Sequence, residues 1–297
     1  SVTANGSITQ AAGSTINVTG TTTLAAGSGN YITLTEATND FGTVNGSVSS
    51  FGVITLRDVN GIILGNLTAQ ASQGLRVTAN GSITQAAGSA IVVFGSRFDS
   101  TGYDITLDNA ANDFQSNIDT VAAGANVTLI DSNALYLGNT TAGNLSATAN
   151  GVIQDYGVIN VTGTTTLSAG SGNDITLDAA NDFGGAVSVA SGRDVTLNDI
   201  NAIDLGDQTV SGNLSVTGAS GITDSGNVSV TGSSSFLSGC GSITLGDGTT
   251  LSLGGPVTLL AGQDATLTVS GSLDLAATTV DGNLSVTAAG AITDSGN

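Results

Sequence analysis

The sequence predicts an all-β solenoid of about 12 coils. A long internal repeat, a short strand pattern within it and a composition suited to strands and turns support this prediction. The segment Val2–Ser14 recurs letter for letter at Val77–Ser89, and weaker copies begin at Ala147, Val216 and Val286. Such a chain is an array in which each unit buries its apolar face against the neighbouring units.

A shorter periodicity lies within the long repeat. Pairs of an apolar–Thr–Leu triplet begin 22, 22 and 20 residues apart, at Ile32 and Ile54, at Ile105 and Val127, and at Ile175 and Val195. Alternation of apolar and polar residues is typical of a half-buried strand. About nine short strand candidates fit each unit of about 71 residues, which gives a ~70-residue super-repeat of three coils with ~24 residues per coil.

Composition agrees with strands joined by tight turns. The 297 residues include 43 glycines, and only 9% are charged whereas 39% are hydrophobic. This balance argues against disorder, and glycine supplies the turns. The net charge of −19 argues against nucleic acid and anionic membrane surfaces as partners. No apolar run reaches the ~18 residues of a membrane helix, so we expect no membrane insertion in this segment.

The repeat extends from end to end without a linker. We therefore expect residues 1–297 to form one β-helical array, with units that start near residues 1, 75, 145, 214 and 284. The chain opens and closes within a repeat, which predicts that it is a fragment of a longer polypeptide. How the first coil of a unit is divided remains open, because two registers fit its strand candidates.

Three motifs resemble a known family. Gly212–Thr217, which leads to Gly221–Gly226, and Asn181–Gly185 are similar to repeats of filamentous-haemagglutinin-like adhesins. These are large exoproteins of Gram-negative bacteria that leave the cell by two-partner secretion or autotransporter routes. The resemblance covers essentially the whole chain and implies a right-handed parallel β-helix at the cell surface or outside the cell. No binding residues carry over from the family.

The function expected from this resemblance is structural. The segment would be a stalk or fibre piece of an adhesin that mediates adhesion, biofilm matrix formation or fibre assembly. Its expected partners are a host or neighbouring-cell surface, matrix polysaccharide or other copies of itself. The alternative is a β-helix that binds or cleaves polysaccharide, as in lyases and tailspikes. Since the chain has no His or Lys and only four scattered Arg residues, we expect no enzyme activity.

Aspartates give the only candidates for a bound ion, and no cofactor other than calcium is expected. Outward carboxylates flank two strands, and a further carboxylate follows one coil later, at Asp104, Asp108, Asp174, Asp178 and Asp194. Stacked like charges need a partner between them. A calcium ion, which prefers oxygen ligands, and the adjacent Arg193 are the two alternatives.

One stretch stands out as a candidate contact patch. Between residues 94 and 103, aromatic residues and an arginine replace the small polar residues found there in other units, at Phe94, Arg97, Phe98 and Tyr103. Exposed aromatic residues with arginine are typical of contact surfaces. The alternative is that Phe94 and Phe98 plug the core.

The motif Asn-Asp-Phe occurs three times, at Asn39–Phe41, Asn112–Phe114 and Asn181–Phe183. We interpret it as structural: the Phe plugs the core, while the Asn and Asp side chains satisfy backbone groups at a corner.

Overall fold

A computed structural model describes residues 1–296, so Asn297, the last residue of the expected array, lies outside it. The protein is an all-β parallel β-solenoid of about 14 turns, which confirms the predicted fold class. The turns repeat every 21 residues or so, fewer than the ~24 expected, and this explains why there are more than 12. No helix among residues 1–296 is long and apolar enough to cross a membrane.

The described residues form two compact units, each longer than one ~70-residue repeat unit of the sequence. The first compact unit is Ser1–Asn150, and the second begins at Gly151. The strands of the first unit are β1 (Val2–Ala4), β2 (Ile8–Thr9), β3 (Asn17–Ala26), β4 (Ile32–Leu34), β5 (Asp40–Val48), β6 (Ile54–Asp58), β7 (Ile62–Ala69), β8 (Leu75–Ala79), β9 (Ile83–Gln85), β10 (Ile91–Val93), β11 (Ser96–Asp99), β12 (Ile105–Leu107), β13 (Asp113–Phe114), β14 (Ile118–Asp131) and β15 (Leu135–Ala149). The strands of the second unit are β16 (Ile153–Asp155), β17 (Ile159–Val161), β18 (Thr165–Ser168), β19 (Ile175–Phe183), β20 (Val187–Gly192), β21 (Val195–Asp199), β22 (Ala202–Val210), β23 (Leu214–Gly218), β24 (Gly221–Asp224), β25 (Val228–Val230), β26 (Ser234–Ser238), β27 (Ile243–Leu245), β28 (Leu251–Leu253), β29 (Val257–Ala261), β30 (Ala265–Val269), β31 (Leu273–Val280), β32 (Leu284–Ala288) and β33 (Ile292–Asp294).

In the first unit, equivalent residues of successive turns stack into apolar columns. One column holds inward side chains that are at most 2% exposed, and it consists of Ile62, Ile83, Ile105, Val127 and Leu145. Burial of each such side chain contributes about 1.5–3 kcal/mol. The predicted triplets also stack in register, with Ile32 opposite Ile54 and Ile105 opposite Val127.

The second unit repeats this arrangement. The triplet that begins at Ile175 stacks on the one that begins at Val195. Another inward column, fully enclosed, consists of Ile203, Ile222, Ile243 and Ala265. Because side chains alternate along each strand, the residues between these inward positions face outward. Thr, Ser, Asn and Asp residues form much of this outward surface.

Close stacking of turns requires glycine at some corners. At Gly241, an added Cβ would lie 1.8 Å from the backbone oxygen of Ser220 in the preceding turn. We expect Gly241→Ala to destabilise the protein by about 1–3 kcal/mol, since the two turns must separate locally. At Gly271 no atom of residues 1–296 lies within 4 Å of an added Cβ. Gly271→Ala is therefore the matched control, and it should be neutral or stabilising in urea-induced unfolding; equal losses in both variants would contradict the stacking explanation.

Candidate functional site

The first pair of calcium candidates flanks strand β12. Both carboxylates are exposed. The Oδ1 atom of Asp104 accepts hydrogen bonds from the backbone N–H of Asn126, at 2.9 Å, and from its side-chain Nδ2, at 3.2 Å. The side-chain oxygen of Asn126 accepts in turn from Asn144 Nδ2, at 2.8 Å. The Asp104 carboxylate thus has a structural role, because it accepts hydrogen bonds from the next turn. Asp108 lies at the other end of the strand.

The second set of candidates is brought together in part. Asp174 and Asp194 precede opposite residues of β19 and β21, as predicted. The guanidinium of Arg193 makes two hydrogen bonds of 2.7 Å to Asp174 and lies 3.4 Å from Asp194. These bonds hold the pKa of the Asp174 carboxyl below its ordinary value. Of the two alternatives for this corner, the structure therefore has Arg193 as the partner. Asp178 is exposed within β19, three residues after Ile175.

Asp194 also behaves as a cap for the next turn. Its Oδ1 atom accepts from the backbone N–H of Asn213, at 2.8 Å, and from Asn213 Nδ2, at 3.0 Å. Within residues 1–296 no three His, Cys, Asp or Glu side chains converge on a metal-binding position. Calcium binding by these aspartates stays a prediction, and the contacts of Asp104, Asp174 and Asp194 give them another role.

The candidate contact patch is divided between surface and core. Phe94 is 42% exposed and Tyr103 is 51% exposed, and Arg97 is also on the surface. Phe98 is fully buried, and its ring packs edge to face on Phe114 with a centroid distance of 6.4 Å. The assignment of Phe98 to a surface patch is therefore wrong. Alternation along β11 turns Phe98 inward, whereas Arg97 points outward.

The structure adds two residues to this surface that sequence reasoning missed. Arg76 lies directly opposite Arg97 in the parallel pair of β8 and β11. Arg57 lies on the outward face of β6, the neighbour of β8 on its other side. The sequence carries a signal for this placement. The intervals between Arg57, Arg76 and Arg97 are 19 and 21 residues, close to the length of one turn, which predicts that they lie on neighbouring turns.

The Asn-Asp-Phe motif forms a buried polar corner. In its second copy, the Asn112 side-chain oxygen accepts from the backbone N–H of Ile91 at 3.0 Å and from Gln85 Nε2 at 2.6 Å. Its Nδ2 donates to Gln85 Oε1, at 2.9 Å, and to the Leu107 carbonyl, at 3.2 Å. Asn112, Ile91 and Leu107 are fully buried, so the network satisfies polar groups of these residues that water cannot reach, whereas Gln85 is half-buried.

The phenylalanine of the motif is held by an aspartate from the following turn. The backbone N–H of Phe114 donates to Asp131 Oδ2 at 2.8 Å, and Asp131 Oδ1 accepts from the backbone N–H of Asn133 at 2.7 Å. The same arrangement occurs in the other two copies, with Phe41 on Asp58 and Phe183 on Asp199. The motif's own aspartate, Asp113 in this copy, is only half-buried. The interpretation as a core plug with a polar corner agrees with these contacts, but the partner of the Phe backbone is a different aspartate.

Burial changes the acidity of these corner aspartates. Desolvation raises the pKa of Asp131 to about 6, although its hydrogen bonds from Asn133 and Phe114 act in the opposite direction. The pKa values of Asp58 and Asp199 are raised for the same reason. The folded chain therefore binds protons on these groups more tightly than the unfolded chain does.

We expect acid to stabilise the protein between pH 7 and pH 5. A raised carboxyl pKa gives stability that is fully present below the unfolded value and is lost as pH rises through the folded value, about 6 for Asp131. The lowered pKa of Asp174 acts below its ordinary value of 3.8, outside this range. The melting temperature should thus be higher at pH 5 than at pH 7, and Asp131→Asn should reduce the difference. A melting temperature that falls on acidification to pH 5 would show that these groups are ionised in the folded state without cost.

Comparison with protein families identifies a repeat family. A family model described as repeats of unknown function (DUF5649) matches residues 1–47, 52–121, 124–190, 192–260 and 262–297. The matched segments follow one another with short gaps. After the first segment their starts lie 72, 68 and 70 residues apart, close to the ~70-residue spacing of the repeat, but they do not coincide with the expected unit starts. No curated protein and no solved structure matches the chain.

Proposed function

The chain belongs to the family described as repeats of unknown function (DUF5649), and from this premise we propose that it is a structural stalk or fibre segment of a large adhesin. The adhesin would lie on the outer surface of a Gram-negative bacterium or be secreted from it. In this role the solenoid projects or spaces adhesive regions, and its outward faces contact matrix polysaccharide, other cells or other copies of the chain.

The observation that carries the proposal is how the outward polar side chains are used. Carboxylate and amide oxygens at the corners accept backbone N–H groups of the next turn, as Asp104 does from Asn126 and Asp264 does from Asn283. Such contacts tie each turn to its neighbour. Both compact units use outward polar side chains to bond neighbouring turns. A chain built in this way is suited to bear load.

Sequence similarity supports the location. The motif Gly212–Thr217 with Gly221–Gly226 resembles repeats of filamentous-haemagglutinin-like adhesins, and the parallel β-solenoid agrees with what that resemblance implies. A family made of repeats along nearly the whole chain is compatible with a fibre, whose length is set by the number of repeats.

The experiment is performed on the native protein in its own cells. Removal of residues 147–215 deletes one whole repeat and keeps the turns in register. The protein should then stay on the surface, where protease added to intact cells reaches it, and adhesion should be retained. The matched control is removal of a segment that ends out of register, at 147–205, which should abolish display. If the in-register deletion abolished cleavage of a polysaccharide, measured as release of reducing ends, the β-helix enzyme alternative would replace the stalk.

A further inference from the structure

Arginine is rare in this chain and unevenly distributed. Three of the four arginines belong to the first unit, where they lie on consecutive turns of one outward sheet face. Arg76 is opposite Arg97, and Thr55, two residues before Arg57 on the same side of β6, is opposite Arg76. We call this surface the arginine face and define it by Arg57, Arg76 and Arg97.

The arginine face is poorly neutralised by the chain itself. Acidic residues outnumber basic ones by 23 to 4. Nevertheless, within residues 1–296, Arg57 and Arg76 have no carboxylate oxygen within 4.0 Å. The Nε atom of Arg57 is enclosed and has no hydrogen-bond partner in this part of the chain. Arg193 in the second unit differs, because it makes a two-bond pair with Asp174.

The other polar groups around the face leave capacity for a ligand. Asp99 approaches Arg97 at 3.6 Å, too far for a hydrogen bond. Asp119, opposite Arg97 on β14, already accepts the backbone N–H of Asn139 at 2.8 Å. Arg76 contacts the uncharged side chain of Gln73. Like charges on opposite residues of neighbouring strands, ~4.8 Å apart, destabilise a sheet, and an anion between them would offset this repulsion.

We propose that the arginine face binds a glycan that carries isolated carboxylates, such as uronic or sialic acid residues. The planar guanidinium groups match a carboxylate with two hydrogen bonds. Phe94, 42% exposed, lies at the corner that leads into the Arg97 strand, and its backbone carbonyl accepts from Gly74 at the corner before Arg76. Its exposed ring offers an apolar surface on which a sugar can pack.

The net charge selects the kind of anion. A chain of charge −19 repels a densely charged polymer over the range set by the salt concentration. A glycan with single carboxylates on a neutral backbone escapes most of this repulsion and still meets the arginines at contact. The proposal depends on the arginine face alone and stands or falls separately from the stalk function.

The test is a binding titration with defined glycans at 0.15 M salt. The probes are 3′-sialyllactose and a glucuronic-acid-terminated disaccharide, with lactose as the neutral control and heparin as the dense polyanion. Binding of either acidic probe, with weaker binding of lactose and heparin, is expected. Arg76→Gln should weaken it by at least about tenfold. Arg193→Gln is the matched control, because it changes the net charge equally, and it should leave binding unchanged.

Other outcomes overturn the proposal. These are no binding of either acidic probe, tighter binding of heparin, or an equal loss in Arg193→Gln. Salt-sensitive self-association that Arg76→Gln abolishes would instead assign the face to the acidic surface of a second copy. Folding is checked by thermal unfolding, in which Arg76→Gln should not lower the melting temperature, since it removes a repulsive pair.

Discussion

Replacement of Phe98 by alanine is expected to lower the free energy of unfolding by about 3–5 kcal/mol. Phe98 is fully buried, and its ring packs edge to face on Phe114. The loss combines the transfer free energy of the ring with the cavity that it leaves, because neighbouring turns fixed by backbone hydrogen bonds cannot collapse into the space. The measurement is denaturant-induced unfolding followed by circular dichroism.

The matched control for this prediction is Phe94→Ala. Phe94 is four residues earlier and 42% exposed. Its replacement should change stability by no more than about 0.5 kcal/mol, as at other surface positions. If Phe94→Ala cost as much as Phe98→Ala, the division of this segment between surface and core would be wrong.

The second large effect is expected for Asn112→Ala. The substitution removes every hydrogen bond of a fully buried side chain and leaves the Ile91 N–H, the Leu107 carbonyl and the Gln85 amide without that partner. Ile91 and Leu107 are buried, whereas Gln85 is half-buried. Each buried group left unsatisfied costs about 1–3 kcal/mol, so the two backbone groups together should cost about 2–6 kcal/mol. Urea unfolding at pH 7 gives the value directly.

Asn133→Ala serves as the control for the buried corner. Asn133 is exposed, and the backbone N–H that it offers to Asp131 is kept in the variant. Its stability should therefore remain within about 0.5 kcal/mol of the parent protein. A small loss for Asn112→Ala would mean that water reaches the corner and replaces the missing hydrogen bonds.

The fold could be predicted because its determinants are local and repeated. The triplets that begin at Ile32 and Ile54 carry both the strand alternation and the turn spacing, and the structure stacks them in register. The number of turns was harder to predict from the sequence. Register shifts shorten some turns, as in β14, where pairing with β15 shifts between Ala122 and Asn126 and only 18 residues separate Val127 from Leu145.

The candidate site was predicted less well, for two physical reasons. The residue type of Phe98 is compatible with both a surface patch and a core plug, and only its alternation with the outward Arg97 places it inside. The arginine face depends on the pairing of three separate turns, and a shift of one residue in any of them would turn an arginine to the other side of the sheet. The Phe114–Asp131 contact likewise joins residues 17 apart, which only the correct register brings together.

The central claim is that this chain is a stalk segment of a surface fibre. The most direct test is the mass of the intact native polypeptide, with peptide mapping on both sides of residues 1–297 and protease added to intact cells to test surface exposure. We expect peptides from a chain several times longer, in which the ~70-residue repeat continues beyond this segment. A native chain no longer than these 297 residues, or one reached by protease only after cell lysis, would contradict the claim.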